Sequence, residues 1–228
     1  MQYPKTYNFP KIYFTNARSI NNKINEIEVE LKCNNIQVAL ITETWLNENI
    51  PSQAIEISGY TSIRKDRQGR RGGGILLYLK DNIPYTRYLN LEDDEQETVW
   101  ITIRPPKLPR SVTKIAIVAV YHPPQSNHKL MNRYLSDGID FLQTKTINCG
   151  LFIIGDFNQL PEQHLKINYK LKQAVKRPTR ESAILDKCFT NMSAYYDEPE
   201  VTSHIGKSNH NAVIYKPKLS NKKYRQRS

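Results

Sequence analysis

The chain is written in short apolar runs that stop at a polar residue. LFIIGD (151–156), KIAIVAVY (114–121), GILLYLK (74–80) and VALITET (38–44) are apolar almost throughout rather than alternating. Such a run fits a strand covered on both faces, because a strand with one wet face alternates. KIYFTN (11–16), YTSIRK (60–65), TVWITIR (98–104), ILDKCFTN (184–191) and NAVIYK (211–216) add further strand-like segments. Two stretches carry helical spacing: residues 21–35, with Ile24, Ile27 and Leu31, and residues 129–147, with Leu130, Tyr134, Leu135, Ile139 and Leu142. The second is expected to end at Cys149-Gly150, with Gly150 as its C-cap. Many covered strands and few helices predict an α/β fold of two packed β-sheets flanked by helices. One domain over 1–218 accounts for the pattern, and 219–228 reads as a basic linker or the trimmed edge of the domain.

The formal net charge is +11 over 228 residues. That excess favours a polyanionic partner, and KKYRQRS (222–228) carries only four of the positive charges. Cys33, Cys149 and Cys188 are far apart and odd in number, which predicts free thiols in a reducing compartment. No secretory signal is visible, and no apolar run approaches the ~20 residues of a membrane span. These features predict an intracellular protein with no membrane partner.

The polar residues at the strand ends are the candidate chemistry. Asn16 ends KIYFTN, Glu43 ends VALITE, Tyr121 ends KIAIVAVY, and Asp156 and Asn158 end LFIIGDFN. Asp186 lies in ILDKC, and Asn209 and His210 precede the last strand. Strand ends on one edge of a sheet gather distant residues into one cleft, and an acid held by a buried strand suits a metal ligand or general base. Each also has an ordinary reading: a turn cap for Asn16 or Asp156, packing for Tyr121, a surface or core histidine for His210. The ordered set is more specific than any member.

In that order TNARSINNK, LITETWL, GGGILLYLK, VYHPP, IIGDFN, RPTR…ILD…TN and GKSNHNAVI resemble the exonuclease–endonuclease–phosphatase superfamily. The likeness is to the apurinic/apyrimidinic-type endonuclease domains of non-LTR retrotransposons, and it runs from about residue 11 to 217. The resemblance implies a four-layered α/β sandwich and phosphodiester hydrolysis with Mg2+ or Mn2+. By motif, Glu43 would be the main metal ligand, with Asn16 and position 209 beside it. Asp156 would orient or deprotonate the attacking water, and Asn158 and Tyr121 would hold the scissile phosphate. Asp186 would hydrogen-bond His210, which would meet the phosphate. The implied act is a nick in double-stranded DNA that primes reverse transcription in the nucleus, with the reverse transcriptase domain C-terminal in the same polyprotein.

The family reads Ser-Asp-His where this chain reads Ser208-Asn209-His210. Asparagine keeps the shape and loses the charge, so activity is expected to be weakened, by decay of a mobile element or by deliberate isosteric exchange. Arg18, a further candidate DNA contact, stands where some relatives have an acid. For DNA contact, RKDRQGRRGGG (64–74) offers Arg64, Arg67, Arg70 and Arg71 on a flexible basic hairpin, and KRPTRES (176–182) offers Lys176, Arg177 and Arg180. Trp45 and Trp100 are expected in the core. Two other functions stay open: a phosphatase or phosphodiesterase of the same superfamily, and an inactive DNA-binding module.

Overall fold

The computed structural model describes residues 7–69 and 71–218. The expected linker, 219–228, and Arg70 lie outside the described residues. In chain order the strands are β1 (Ile12–Asn16), β2 (Val38–Thr42), β3 (Tyr60–Lys65), β4 (Ile75–Lys80), β5 (Tyr85–Arg87), β6 (Glu97–Ile103), β7 (Lys114–Tyr121), β8 (Cys149–Asp156), β9 (Lys172–Gln173), β10 (Asp186–Thr190), β11 (Glu200–Thr202) and β12 (Ala212–Tyr215). The helices are α1 (Ile24–Cys33), α2 (His128–Lys145) and α3 (Gln163–Asn168). The strands form two six-stranded sheets, ordered β11-β12-β1-β2-β4-β3 and β5-β6-β7-β8-β10-β9. Each sheet is built on one central parallel pair, β1 with β2 and β7 with β8, and its other pairings are antiparallel.

Side-chain alternation explains why the central strands are apolar throughout. In β1 and β2, Ile12, Phe14, Val38 and Leu40 enter the core between the sheets, where they meet Ile115, Ile117, Ala119, Phe152 and Ile154 of β7 and β8. Their neighbours Tyr13, Ala39 and Ile41 face the other way and pack with Ile27 and Leu31 of α1. On the far side Ala116, Val118, Val120 and Ile153 meet Met131, Leu135, Ile139 and Leu142 of α2. Three cores therefore separate four layers: helix, sheet, sheet, helix.

Gly150 does not cap the second helix. Asn127 caps the start of α2 by accepting from the backbone N–H of Lys129 and Leu130, and the helix stops at Lys145 with Thr146 at its end. Gly150 belongs to β8, in register with Ile115 of β7. The three cysteines are free. Among the described residues no helix is long and apolar enough to cross a membrane.

Candidate active site

The alternation that fills the inter-sheet core also determines what stands at its mouth. In β1 the inward series Ile12, Phe14 ends on Asn16. In β7 it ends on Tyr121, and in β8 the series Phe152, Ile154 ends on Asp156. β10 runs antiparallel to β8, so Asp186, paired with Asp156, opens an inward series that continues with Cys188. β6 is antiparallel to β7, and Glu97 faces Tyr121 in register below Val99, Ile101 and Ile103. Five polar residues therefore ring one end of an apolar core because each occupies the first or last inward position of its strand.

The two sheets meet there in an ordered row of cross-sheet pairs. His210 leads into β12 and places Nδ1 2.8 Å from Asp186 Oδ2. On the next strands inward, Asn16 Nδ2 donates to Asp156 Oδ2 at 2.8 Å. Glu43 follows β2 directly, and its Oε1 accepts from the Tyr121 hydroxyl at the end of β7. Before β4, the backbone N–H of Gly74 donates to Glu97 Oε2 at 2.7 Å. The row thus joins β12 to β10, β1 to β8, β2 to β7 and β4 to β6, in the order in which the strands lie in their sheets.

Local backbone turns aim these side chains. Past the strand ends the chain stays zipped, with Ala17 N to Thr42 O at 2.9 Å, Ser19 N to Glu43 O at 2.7 Å and Ile20 N to Thr44 O at 3.0 Å. Glu43, Trp45 and Asn158 take positive φ values of 54°, 58° and 46°. Such backbone is uncommon for residues with a Cβ and clusters where function constrains the chain. The second oxygen of Glu43 accepts from the Trp45 indole N–H. Asn158 donates its backbone N–H to Asp156 Oδ1 at 3.0 Å and its amide to the His122 carbonyl at 2.8 Å.

The electrostatics are those of a buried acid pair beside an imidazole. Burial, then the nearby charge of Asp186, raises Asp156 from 3.8 to about 7. His210, the Asn158 N–H and Asn16 pull the other way. Burial opposes a charged His210, but the hydrogen bond and charge of Asp186, followed by Asp156, outweigh it and raise the imidazole above its usual value. Burial and the adjoining Glu43 raise Tyr121, which keeps it a protonated donor.

Asp156, Asp186 and His210 each offer a ligand atom, all within 4.8 Å of one another. Asp186 Oδ1 is buried and without a hydrogen-bond partner among the described residues. A buried carboxylate oxygen without a partner is costly unless a cation or water meets it, and this group could hold a metal ion. Of the residues expected to bind metal, Asn16 touches this group and Glu43 lies one strand over. The Asn209 carboxamide, with its oxygen toward the guanidinium, instead accepts from Arg180 Nε at 2.9 Å and Nη2 at 3.1 Å.

The basic residues divide. Arg18, Arg71, Lys176 and Arg177 are exposed, and Lys176 pairs with Glu198 at 2.9 Å. Arg64 turns back onto Asp66 and the carbonyls of Ile50 and Asn47, and Arg67 onto Glu97. Trp100 is fully buried as expected, but Trp45 is only half-buried, with Arg71 stacked 5.3 Å from its ring. Sequence reasoning passed over Glu97 and Thr179, whose hydroxyl accepts from the Asp186 N–H at 3.1 Å, and assigned Trp45 to the core alone. For Glu97 the signal was there: it shares parity with the inward residues of its strand.

No protein-family model matches the chain, and no curated protein sequence does. Solved structures do. The endonuclease domain of TRAS1, a telomere-specific non-LTR retrotransposon, superposes with a TM-score of 0.72 at 15% identity, over 93% of this chain and 100% of that one. This chain has the exonuclease–endonuclease–phosphatase fold. AP endonuclease LMAP from Leishmania major shares the fold at a TM-score of 0.66 and 14% identity, over 90% of this chain and 86% of that one. The 3′-5′ exonuclease NExo from Neisseria meningitidis does so at 0.65 and 13%, over 92% and 100%. The expected four-layered sandwich is therefore the observed one.

Proposed function

We propose that this chain is a divalent-metal-dependent endonuclease that nicks double-stranded DNA. The row of cross-sheet pairs at the mouth of the core carries the reading. It collects an acid near neutral pKa, a carboxylate-backed imidazole, a protonated phenol and an unshared carboxylate oxygen at one place. The likeness to the TRAS1 domain supports DNA as the substrate, and so does the net charge of +11.

Glu43 and Asn16 would hold the cation, one strand over from the group of Asp156, Asp186 and His210. Asn209 is not assigned to it, because its oxygen faces Arg180. Bound there, magnesium or manganese would supply the positive charge that lets an anionic phosphodiester be attacked. Asp156, poised near pH 7, takes the proton of the attacking water. Asn158 offers its second amide N–H to a phosphate oxygen, while the single Tyr121 O–H stays on Glu43. His210, backed by the Asp186 carboxylate, faces the charge that grows on the phosphate, and such donors act most strongly in the transition state. Arg180, held by Asn209, adds a guanidinium beside them. Arg18, Arg71, Lys176 and Arg177 track the DNA backbone, and Arg64 and Arg67 shape the loop rather than touch DNA.

In this account position 209 orients Arg180, and the neutral amide weakens that hold, so the chain nicks more slowly than its aspartate variant. The biological act proposed is priming of reverse transcription in the nucleus by a polyprotein whose polymerase lies C-terminal. The test is end chemistry. Nicked plasmid should be extended by a DNA polymerase without prior end repair, showing a 3′-hydroxyl. Hydrolysis of phosphoinositides with intact plasmid would select the phosphatase reading. DNA binding with neither reaction, in the Asn209→Asp protein as well, would select the binding module.

A further inference from the structure

The fourth pair of the row contains no residue that the proposed chemistry uses. Glu97 is buried, and both its oxygens are engaged. Oε1 accepts from Arg67 Nε at 2.7 Å and from Arg67 Nη2, and Oε2 accepts from the Gly74 N–H at 2.7 Å. A buried carboxylate–guanidinium pair is expensive to desolvate, and apolar residues of similar volume would hold the sheets together at least as well. Its use here points to placement rather than cohesion.

Two routes lead from Glu97 to Glu43. Through Arg67, the guanidinium carbon lies 5.3 Å from the centre of the Tyr121 ring, and the Tyr121 hydroxyl donates to Glu43 Oε1. Through the glycine loop, Gly73 O accepts from Trp45 N at 2.9 Å, and the Trp45 indole donates to Glu43 Oε2. Each oxygen of Glu43 thus meets a donor, Tyr121 or Trp45, whose residue lies against a partner of Glu97: Arg67 in one case and the glycine loop in the other.

The three glycines serve this arrangement. Gly72, Gly73 and Gly74 have φ values of 89°, 66° and 85°, which residues with a Cβ rarely adopt. A Cβ on Gly73 would fall on the Arg67 guanidinium and the Glu97 carboxylate, and one on Gly74 would crowd the Thr44 hydroxyl at 2.5 Å. Gly73 and Gly74 are buried, so the run is a packed turn rather than the flexible hairpin its composition suggested.

We propose that Glu97 and Arg67 are positioning residues for the Glu43 carboxylate, a clamp that sets how well the site holds its divalent cation. The proposal rests on the reading above in taking Glu43 as the cation's ligand. Neither residue touches the reacting atoms.

The test measures binding of Mn2+ by electron paramagnetic resonance, together with the two indole N–H signals in a nitrogen–proton NMR spectrum. Glu97→Gln keeps the shape and loses the charge, and Arg67→Lys keeps the charge and loses the fork. Glu97→Gln should weaken Mn2+ binding about tenfold, a loss typical for a supporting partner behind a metal ligand. It should shift the Trp45 indole signal and leave that of Trp100 in place. The metal concentration for half-maximal nicking should rise in step, with turnover at saturating metal within about twofold of the parent. Arg67→Lys should give the same pattern at smaller size. Unchanged Mn2+ affinity and an unmoved Trp45 signal in folded Glu97→Gln and Arg67→Lys would overturn the clamp, even with a lowered Tm. Glu43→Ala separates the two claims. If it binds Mn2+ as the parent does, the cation reading of Glu43 fails and the clamp's effect on the cation fails with it. If it loses the ion while Glu97→Gln does not, only the clamp fails.

Discussion

Replacing Asp156 by asparagine should change stability in opposite directions at low and high pH. In the fold, burial and the charge of Asp186 raise this carboxyl from 3.8 to about 7. The folded protein therefore holds the proton more tightly than the unfolded chain, and stability falls as pH rises. The loss begins above pH 3.8 and is complete above about pH 7. Three units at ~1.4 kcal/mol each make it on the order of 4 kcal/mol. Asparagine removes that cost but spoils one contact. Oδ1 of Asp156 accepts from the Asn158 N–H and Oδ2 from Asn16 Nδ2, so an amide sets one donor against another, at about 1–2 kcal/mol. Asp156→Asn should thus be about 1 kcal/mol less stable than the parent at pH 4 and about 2 kcal/mol more stable at pH 8.5. Urea unfolding in EDTA at both pH values checks this. The same difference at both would refute the raised Asp156, and with it the poised base.

Asn209→Asp should raise nicking about tenfold, since a carboxylate sets a full negative charge against the Arg180 fork that the amide meets with one neutral oxygen, a gain of ~1.4 kcal/mol. Single-turnover rates of the two proteins, and of each with Arg180→Ala, check it, because the gain should vanish without Arg180. DNA affinity should fall steeply with salt, and Arg71→Ala should shallow the slope by about one unit, measured by fluorescence anisotropy from low to physiological salt. Gly155→Ala should destabilise by about 3 kcal/mol or more by thermal unfolding, because its Cβ would land on the Val120 carbonyl of the neighbouring parallel strand.

The layers were legible because doubly covered strands leave a plain mark: Val38 to Ile41 and Ile115 to Val120 are apolar at both parities. The short elements were not. β5, β9 and β11 span three, two and three residues, too few for any period to show. Gly150 was misread because a glycine after a helix and a glycine within a strand look alike in one dimension. Within the site, the strand-end acids stood out against apolar neighbours, whereas Glu97 opens its strand and looked like the polar boundary. Trp45 was placed by habit of residue type, and only the fold brings its indole to Glu43. The pairing of Asn209 with Arg180 joins loops 29 positions apart by sequence number, and nothing local announces it.

The central claim is that the mouth of the inter-sheet core cuts DNA with a divalent cation. Supercoiled plasmid incubated with the parent, Asn209→Asp and Glu43→Ala proteins, in magnesium, manganese or EDTA, tests it most directly. The account predicts open circles from the Asn209→Asp protein in either metal, fewer from the parent, and none in EDTA or from Glu43→Ala. Nicking by Glu43→Ala at the parent's rate, or intact plasmid with folded Asn209→Asp protein across a full metal titration, would contradict it.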